Sequence, residues 1–296
     1  MDNENIGLVI EGGGLRGVYT SGVIRFFLDK GVMFPYVVGV SMGACNGANY
    51  ISRQPERNRI VNIDFVNDPR YISYKRLLLK GELFGMDFIF NTIPFSLVPF
   101  DQNTYLENEA KFVIGVTDCE TGDPVYYEKS ALEDDCMDIF RATCSLPFLA
   151  KQVHYKGRIF MDGGVTDPIP IQKSIDDGNS RNVLILTRPK GYRKKPSHLH
   201  LLARLWYPKF KGLQRAIAAR HKRYNETMDM VDELERSGQT ISIRPTRTIE
   251  AGRVERNKEK LLTAYEQGYE DASSSYERIR AFFNPQHIGK TKGVSP

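Results

Sequence analysis

The sequence predicts an α/β fold, a parallel sheet with helices packed on it, continued by a mainly helical C-terminal extension. Three observations predict it. The unit strand, tight turn, helix occurs twice in succession at the start of the chain. The strand candidates are short continuous apolar runs. Beyond Pro189 the apolar residues fall instead on helical stripes.

Taken in order, Ile6 to Ile10 is an apolar run ending in Glu11 and a glycine cluster, and Val18 to Leu28 has helical spacing. Tyr36 to Val40 is the next strand, cut off by Ser41. The small residues Ala44, Gly47 and Ala48 then suit a helix packed closely on a sheet. Residues 56 to 105 read as irregular, with an aromatic and proline-rich patch from Phe84 to Phe100. Phe112 to Thr117 and Val125 to Glu128 are strands around a turn at Thr121 to Pro124. Asp134 to Cys144 is a helix stopped before Pro147, Arg158 to Met161 a short strand ending at Asp162, and Asn182 to Thr187 a strongly apolar strand. Further on, Leu213, Ile217, Tyr224, Met228 and Val231 form one helical stripe and Leu261, Tyr265, Tyr269, Ala272, Tyr276 and Ile279 another. Two regions follow from this, a catalytic α/β domain at 1–190 and a helical extension at 191–296 packed on it, with Thr240 to Ile243 a strand candidate for rejoining the sheet.

Composition narrows the function classes. With 41% hydrophobic and 26% charged residues, the chain is globular rather than disordered. Cys45, Cys119, Cys136 and Cys144 contain no CxxC pair and the five histidines are scattered, so neither a zinc site nor a disulfide framework is expected, and no cofactor. No secretory signal and no uninterrupted run of about 18 apolar residues is found, which predicts a cytoplasmic protein without a membrane span. The net charge of +5 hides an asymmetry: residues 188–223 hold twelve Lys or Arg and no acid, and the remainder has 29 basic residues against 36 acidic ones. A local cationic segment on an acidic body points to an anionic surface, not to nucleic acid.

Three motifs converge on one chemistry. GVSMG, Gly39 to Gly43, has the GxSxG form of a nucleophile elbow, in which a serine on a sharp strand-to-helix turn needs small residues on both sides. By itself it also reads as a glycine-rich helix start capped by Ser41. EGGGLRG, Glu11 to Gly17, ends the preceding strand with unobstructed backbone amides, suited to the oxyanion of a tetrahedral intermediate; Gly13 and Gly14 are the preferred donors, with the amide of Met42 beside them. One right-handed crossover separates the two strands, so both motifs fall on one sheet edge. The same loop matches GxGxxG, but Ser41 stands where a dinucleotide site wants an acidic residue, and no GK[ST] follows. Serine needs a base. Asp162, followed by Gly163 and Gly164, ends a strand in the same way, although DGG alone reads as a turn.

EGGGLRG, GVSMG and DGG in this order, with ATCSLP at Ala142 to Pro147, resemble the signature blocks of the patatin-like phospholipase family over about residues 6–170. The resemblance implies a three-layer α/β/α fold and a metal-free Ser/Asp dyad that cleaves acyl esters of lipids by way of an acyl-enzyme. Ser41 is then the nucleophile, Asp162 the base and the Gly12 to Gly14 loop the oxyanion hole, with Arg16, Gly17, Gly39, Gly43, Gly163 and Gly164 as supporting positions. DGG replaces the DGA of many relatives, one small residue for another. Arg16 has two readings, a ligand for lipid phosphate or, preferred, a partner for a structural carboxylate. Two rivals stand beside the dyad: a Ser/His/Asp esterase using His198, His200, His221 or His287, and a silent lipid-binding protein. Phe84 to Phe100, with Phe88 and Phe95, is expected to wall an acyl pocket or simply to fill the core. The 188–223 segment, with Leu201, Leu202, Leu205, Trp206, Tyr207 and Phe210 among its cations, is expected to contact an anionic membrane.

Overall fold

The computed structural model describes residues 5–132 and 136–283. The chain starts with β1 (Ile6–Ile10), whose glycine loop leads into α1 (Val18–Asp29), then β2 (Tyr36–Val40) and α2 (Met42–Ile51). The stretch expected to be irregular is instead a series of short helical turns: α3 (Arg57–Arg59) running into a π-turn at Ile60–Asp64, α4 (Tyr74–Lys80), a π-helical Phe88–Leu97 containing Pro94, and α5 (Gln102–Glu107). Proline at position 94 removes an amide donor, and the wider π geometry accommodates the gap. Next come β3 (Lys111–Asp118), β4 (Pro124–Glu128), α6 (Cys136–Thr143), β5 (Val153–Tyr155), β6 (Arg158–Asp162), α7 (Ile171–Asp176) and β7 (Arg181–Ile185). The predicted start of α6 at Asp134 lies outside the described residues. The last elements are α8 (Leu199–Trp206), α9 (Lys211–Arg236), β8 (Thr240–Ile243), α10 (Lys258–Ser274) and α11 (Tyr276–Phe283).

The strands form one sheet in the order β5-β6-β3-β2-β1-β7-β8, with β4 paired to β3. β1, β2, β3, β7 and β8 pair in parallel, whereas β4 and β6 run antiparallel to β3 and β5 runs antiparallel to β6. Side chains alternate across the sheet. Ile6, Leu8 and Ile10 of β1 face a core shared with α1, α2, α6 and α10. On the other face Val9, Val38 and Leu184 pack with Ile171 of α7 and Tyr224, Met228 and Val231 of α9. The result is a three-layer α/β/α fold. Four of the five residues in the first predicted stripe of α9 are fully buried, with Ile217 half-buried at its edge. The second stripe breaks at Ser275 into α10 and α11.

β8 joins the sheet beside β7, so Thr240 to Ile243 does return to it. α10 lies on α1, tied to it by Tyr19 donating to Asp271 at 3.1 Å. Among the described residues no helix is long and apolar enough to cross a membrane.

Candidate active site

Ser41 leaves the end of β2 with φ 55° and ψ −134°, a backbone region that a non-glycine residue occupies at a cost of about 1–3 kcal/mol. Surrounding geometry enforces it. A Cβ on Gly43 would stand 2.6 Å from the carbonyl oxygen of Ile10 and 2.7 Å from that of Glu11, so only glycine lets α2 begin this close to the end of β1. Gly39 is pressed equally hard against Gly43. Ser41's carbonyl accepts from Ala44 and Cys45 to open α2, and its amide donates to the Thr143 hydroxyl at 2.8 Å. That hydroxyl donates in turn to the Gly115 carbonyl of β3 at 2.6 Å.

Asp162 arrives from the opposite direction. β3 extends past the end of β2, and β6 pairs antiparallel with this overhang in a register that places Asp162 beside Val116, one step from Gly115, the partner of Val40. The Ser41 hydroxyl donates to Asp162 Oδ2 at 2.7 Å, and the Gly164 amide donates to Oδ1 at 2.8 Å. Both side chains are buried. Burial pushes the Asp162 carboxyl above its ordinary value, against the opposing influence of the Ser41 hydroxyl, Arg220 and the Gly164 amide.

The glycine loop lies alongside, with Gly12 against the Ser41 side chain. Its four expected amides are not equivalent. Gly12 donates to the Pro168 carbonyl at 3.2 Å, which corrects its place in the donor set, because an engaged amide has no hydrogen left for a substrate oxygen. The amides of Gly13, Gly14 and Met42 have no partner among the described residues. Gly14 takes a φ of +57°, which turns the loop sharply against the backbone of Arg253. Gly17 backs onto Met42 and Asn46, and Gly163 onto β3 at Gly115.

Arg16 is buried with no direct carboxylate partner among the described residues, which corrects the preferred reading of it; it donates to the Thr187 hydroxyl at 3.2 Å, and Thr187 in turn donates to Glu11. Thr143 was legible only as part of the ATCSLP block. Lys194, which also reaches the site, lies in the stretch LTRPKGYRKKP, similar to bacterial patatin-like proteins, whereas Arg220 and Arg253 carry no local motif.

Ser41 opens onto a largely apolar cavity of about 100 Å³. Met42, Met86, Ile89, Phe90, Pro94 and Phe140 are among its walls. The 84–100 patch therefore does border the cavity, but through Phe84, Met86, Ile89, Phe90, Pro94 and Phe100. Phe88 packs outside it against Phe65 and under Arg70, and Phe95 is 62% exposed. Cys45 and Cys144 also line it, with sulfurs 3.5 Å apart and both thiols free. Of the five histidines, His154, His198, His200 and His221 are described, and none lines this cavity or the polar space behind Ser41; His287 lies outside the described residues.

A family model for patatin-like phospholipases matches residues 8–174, and a second, for a domain of unknown function (DUF6363), matches residues 210–284. The chain is 28% identical over 189 residues to YjjU, an uncharacterized protein of Escherichia coli strain K12, across 62% of this chain and 52% of that protein. It thus spans about half the length of this curated relative. Among solved structures, VipD from Legionella pneumophila superposes with a TM-score of 0.53 at 13% identity, covering 93% of this chain and 67% of VipD.

Proposed function

Because the chain belongs to the patatin-like phospholipase family, we propose that it hydrolyses carboxylic esters of lipids, of phospholipase A or lysophospholipase type, through a Ser41/Asp162 dyad and an acyl-enzyme. The observation that carries this reading is the 2.7 Å hydrogen bond from Ser41 to a buried carboxylate at the wall of an apolar cavity. Asp162 takes the hydroxyl proton as Ser41 Oγ attacks the ester carbon. The oxyanion is met by the amides of Gly13, Gly14 and Met42, each such donor contributing about 3–4 kcal/mol in hydrolases. Collapse expels the alcohol, which takes the proton from Asp162. Water then attacks the acyl-enzyme with Asp162 again as base, releasing the fatty acid. Thr143 positions the nucleophile by fixing its amide. A fluorophosphonate probe is expected to form one adduct, at Ser41, located by mass spectrometry of the digested protein. A folded protein that stays unlabelled, or is labelled elsewhere, would sink this reading.

The same reading includes docking at an anionic membrane. α8 exposes Leu201, Leu202, Leu205 and Trp206, the last two at 77% and 59%, with Arg204 on the same helix and Lys209 and Lys211 following. Trp favours the interfacial zone, and each free cation near anionic lipid contributes about 1 kcal/mol. Not all twelve cations of 188–223 take part. Arg193 pairs with Asp229 and Asp232, Arg220 turns inward to the Gly164 carbonyl, and Lys222 pairs with Glu226. Cosedimentation with anionic vesicles is expected to weaken at high salt, and to fall about tenfold or more in a variant carrying Arg204→Gln, Lys209→Gln, Lys211→Gln and Trp206→Ser. Binding indifferent to lipid charge, salt and these changes would remove the membrane from the proposal.

A further inference from the structure

Cys45 and Cys144 come from separate elements and meet in the wall of the cavity that Ser41 opens onto. Cys45 stands in the first turn of α2, and Cys144 follows the last residue of α6. Their sulfurs lie 3.5 Å apart and both thiols are free and half-buried, whereas Cys119 and Cys136 are buried. The hydrolytic chemistry uses neither. Each is nevertheless tied to the nucleophile: the Cys45 amide donates to the Ser41 carbonyl at 3.3 Å, and Thr143, next to Cys144, holds the Ser41 amide at 2.8 Å.

A cation completes the group. Arg57 lines the same cavity, anchored to the neutral oxygens of Asn49 and Val98 at 3.0 and 3.2 Å, and no carboxylate pairs with it among the described residues. Burial pulls its guanidinium down to about 10, and the Cys45 sulfur acts in the opposite sense. The two sulfurs therefore differ. A guanidinium beside a cysteine favours its thiolate, the nucleophilic form. Hydrogen bonding to Cys45 first, and then burial, push the Cys144 thiol up, which keeps its proton in place.

We propose that Cys45 and Cys144 are a peroxide-responsive dithiol, Cys45 the attacking sulfur and Cys144 the resolving one, whose disulfide shuts down the neighbouring serine. The Cys45 sulfur attacks one oxygen of hydrogen peroxide; an S–O bond forms, the O–O bond breaks, and the departing hydroxide takes up a proton as water. Cys144 then attacks the sulfur of the Cys45 sulfenic acid. The S–S bond forms, the S–O bond breaks, and the Cys144 proton leaves with the hydroxyl as a second water. The two thiols together lose two electrons and the peroxide is reduced. A cavity of about 100 Å³ admits hydrogen peroxide, a molecule little larger than water. Bonding closes the sulfurs from 3.5 Å to about 2.05 Å. That draws the first turn of α2 towards the end of α6, through the contacts that hold Ser41, and lays the disulfide across the cavity wall. The dithiol site stands independently of the hydrolase reading, whereas its effect on turnover rests on that reading.

The test treats the reduced full-length protein with hydrogen peroxide. Mass spectrometry of the digest is expected to find Cys45 and Cys144 linked with the loss of two hydrogens, and dithiothreitol should reverse the link. Ester turnover should fall about tenfold or more as the link forms and recover with the reductant. In Cys144→Ala, dimedone should trap a sulfenic acid at Cys45. Cys45→Ala should give little trapping at Cys144, and peroxide should leave it with more than about half of its own untreated turnover. No link in folded wild-type protein overturns the site, and trapping at Cys144 in place of Cys45 overturns the assigned roles. A link without loss of turnover overturns the switch. If no ester is cleaved but the reversible link forms, the hydrolase reading fails and the dithiol stands.

Discussion

Ser41→Ala is expected to lower kcat on any ester the protein cleaves by about 10⁴-fold or more, the scale seen when a hydrolase loses its nucleophile. The effect should fall on chemistry alone. The substitution removes one oxygen and leaves the elbow, whose unusual backbone is enforced by Gly39, Gly43 and the Thr143 hydroxyl rather than by the serine hydroxyl. Thermal unfolding of the variant should therefore coincide with wild type to within a few degrees. Turnover by a folded Ser41→Ala protein at more than a hundredth of the wild-type rate would exclude Ser41 as nucleophile.

The second large effect is expected at Asp162→Asn, which keeps the shape but removes the base; a loss of about 10³- to 10⁴-fold in kcat is anticipated. Alanine at His154, His198, His200, His221 or His287 should change kcat less than about threefold, since the four described histidines stand clear of both cavities. One histidine variant that is folded and inactive would favour a triad over the dyad. The pH profile separates the two further. A general base must be anionic, and burial raises the pKa of Asp162 in the folded state. kcat/KM should thus be low in acid and rise as pH climbs through that raised value, with its inflection above the ordinary carboxylate value of about 4. The linkage also bears on stability. A carboxyl with a raised folded pKa contributes stability fully present below its unfolded pKa and lost as pH rises through the folded one. The uncharged Asn therefore relieves a burial penalty at neutral pH, so loss of fold is not the expected cause of inactivity. Differential scanning fluorimetry across the acid range checks the sign: wild type should lose its deficit relative to Asp162→Asn as the pH falls.

Residues 84–100 show how far an apolar run can be read without its fold. Composition marks the segment as one that borders something apolar, and it does line the cavity. Which side chains do so depends on the π-helical turn around Pro94, which sends Ile89 and Phe90 to the cavity, Phe88 to Phe65 and Phe95 to solvent. A period fitted to an α-helix or a strand misassigns those faces, because π geometry rotates each successive residue by a different angle.

The local chemistry of the turns is legible in the residues alone. GVSMG demands small residues because β1 and α2 nearly touch there, EGGGLRG leaves amides bare at the end of the first strand, and both motifs share one sheet edge because a single right-handed crossover joins parallel neighbours. These are short-range constraints, written within a few residues of where they act. Three features depend instead on how distant segments pack. The overhang of β3 let β6 pair antiparallel and bring Asp162 to Ser41, an arrangement set by strand lengths and register over a separation of 121 residues. Gly12 was withdrawn from the donor set by Pro168, more than 150 residues away. Arg220 and Arg253 were turned from a basic helix and an irregular loop into walls of the polar space beside Ser41 and Asp162. Local periodicity encodes which face of an element is buried, whereas convergence of separate elements on one point depends on how the whole sheet and its covering helices pack.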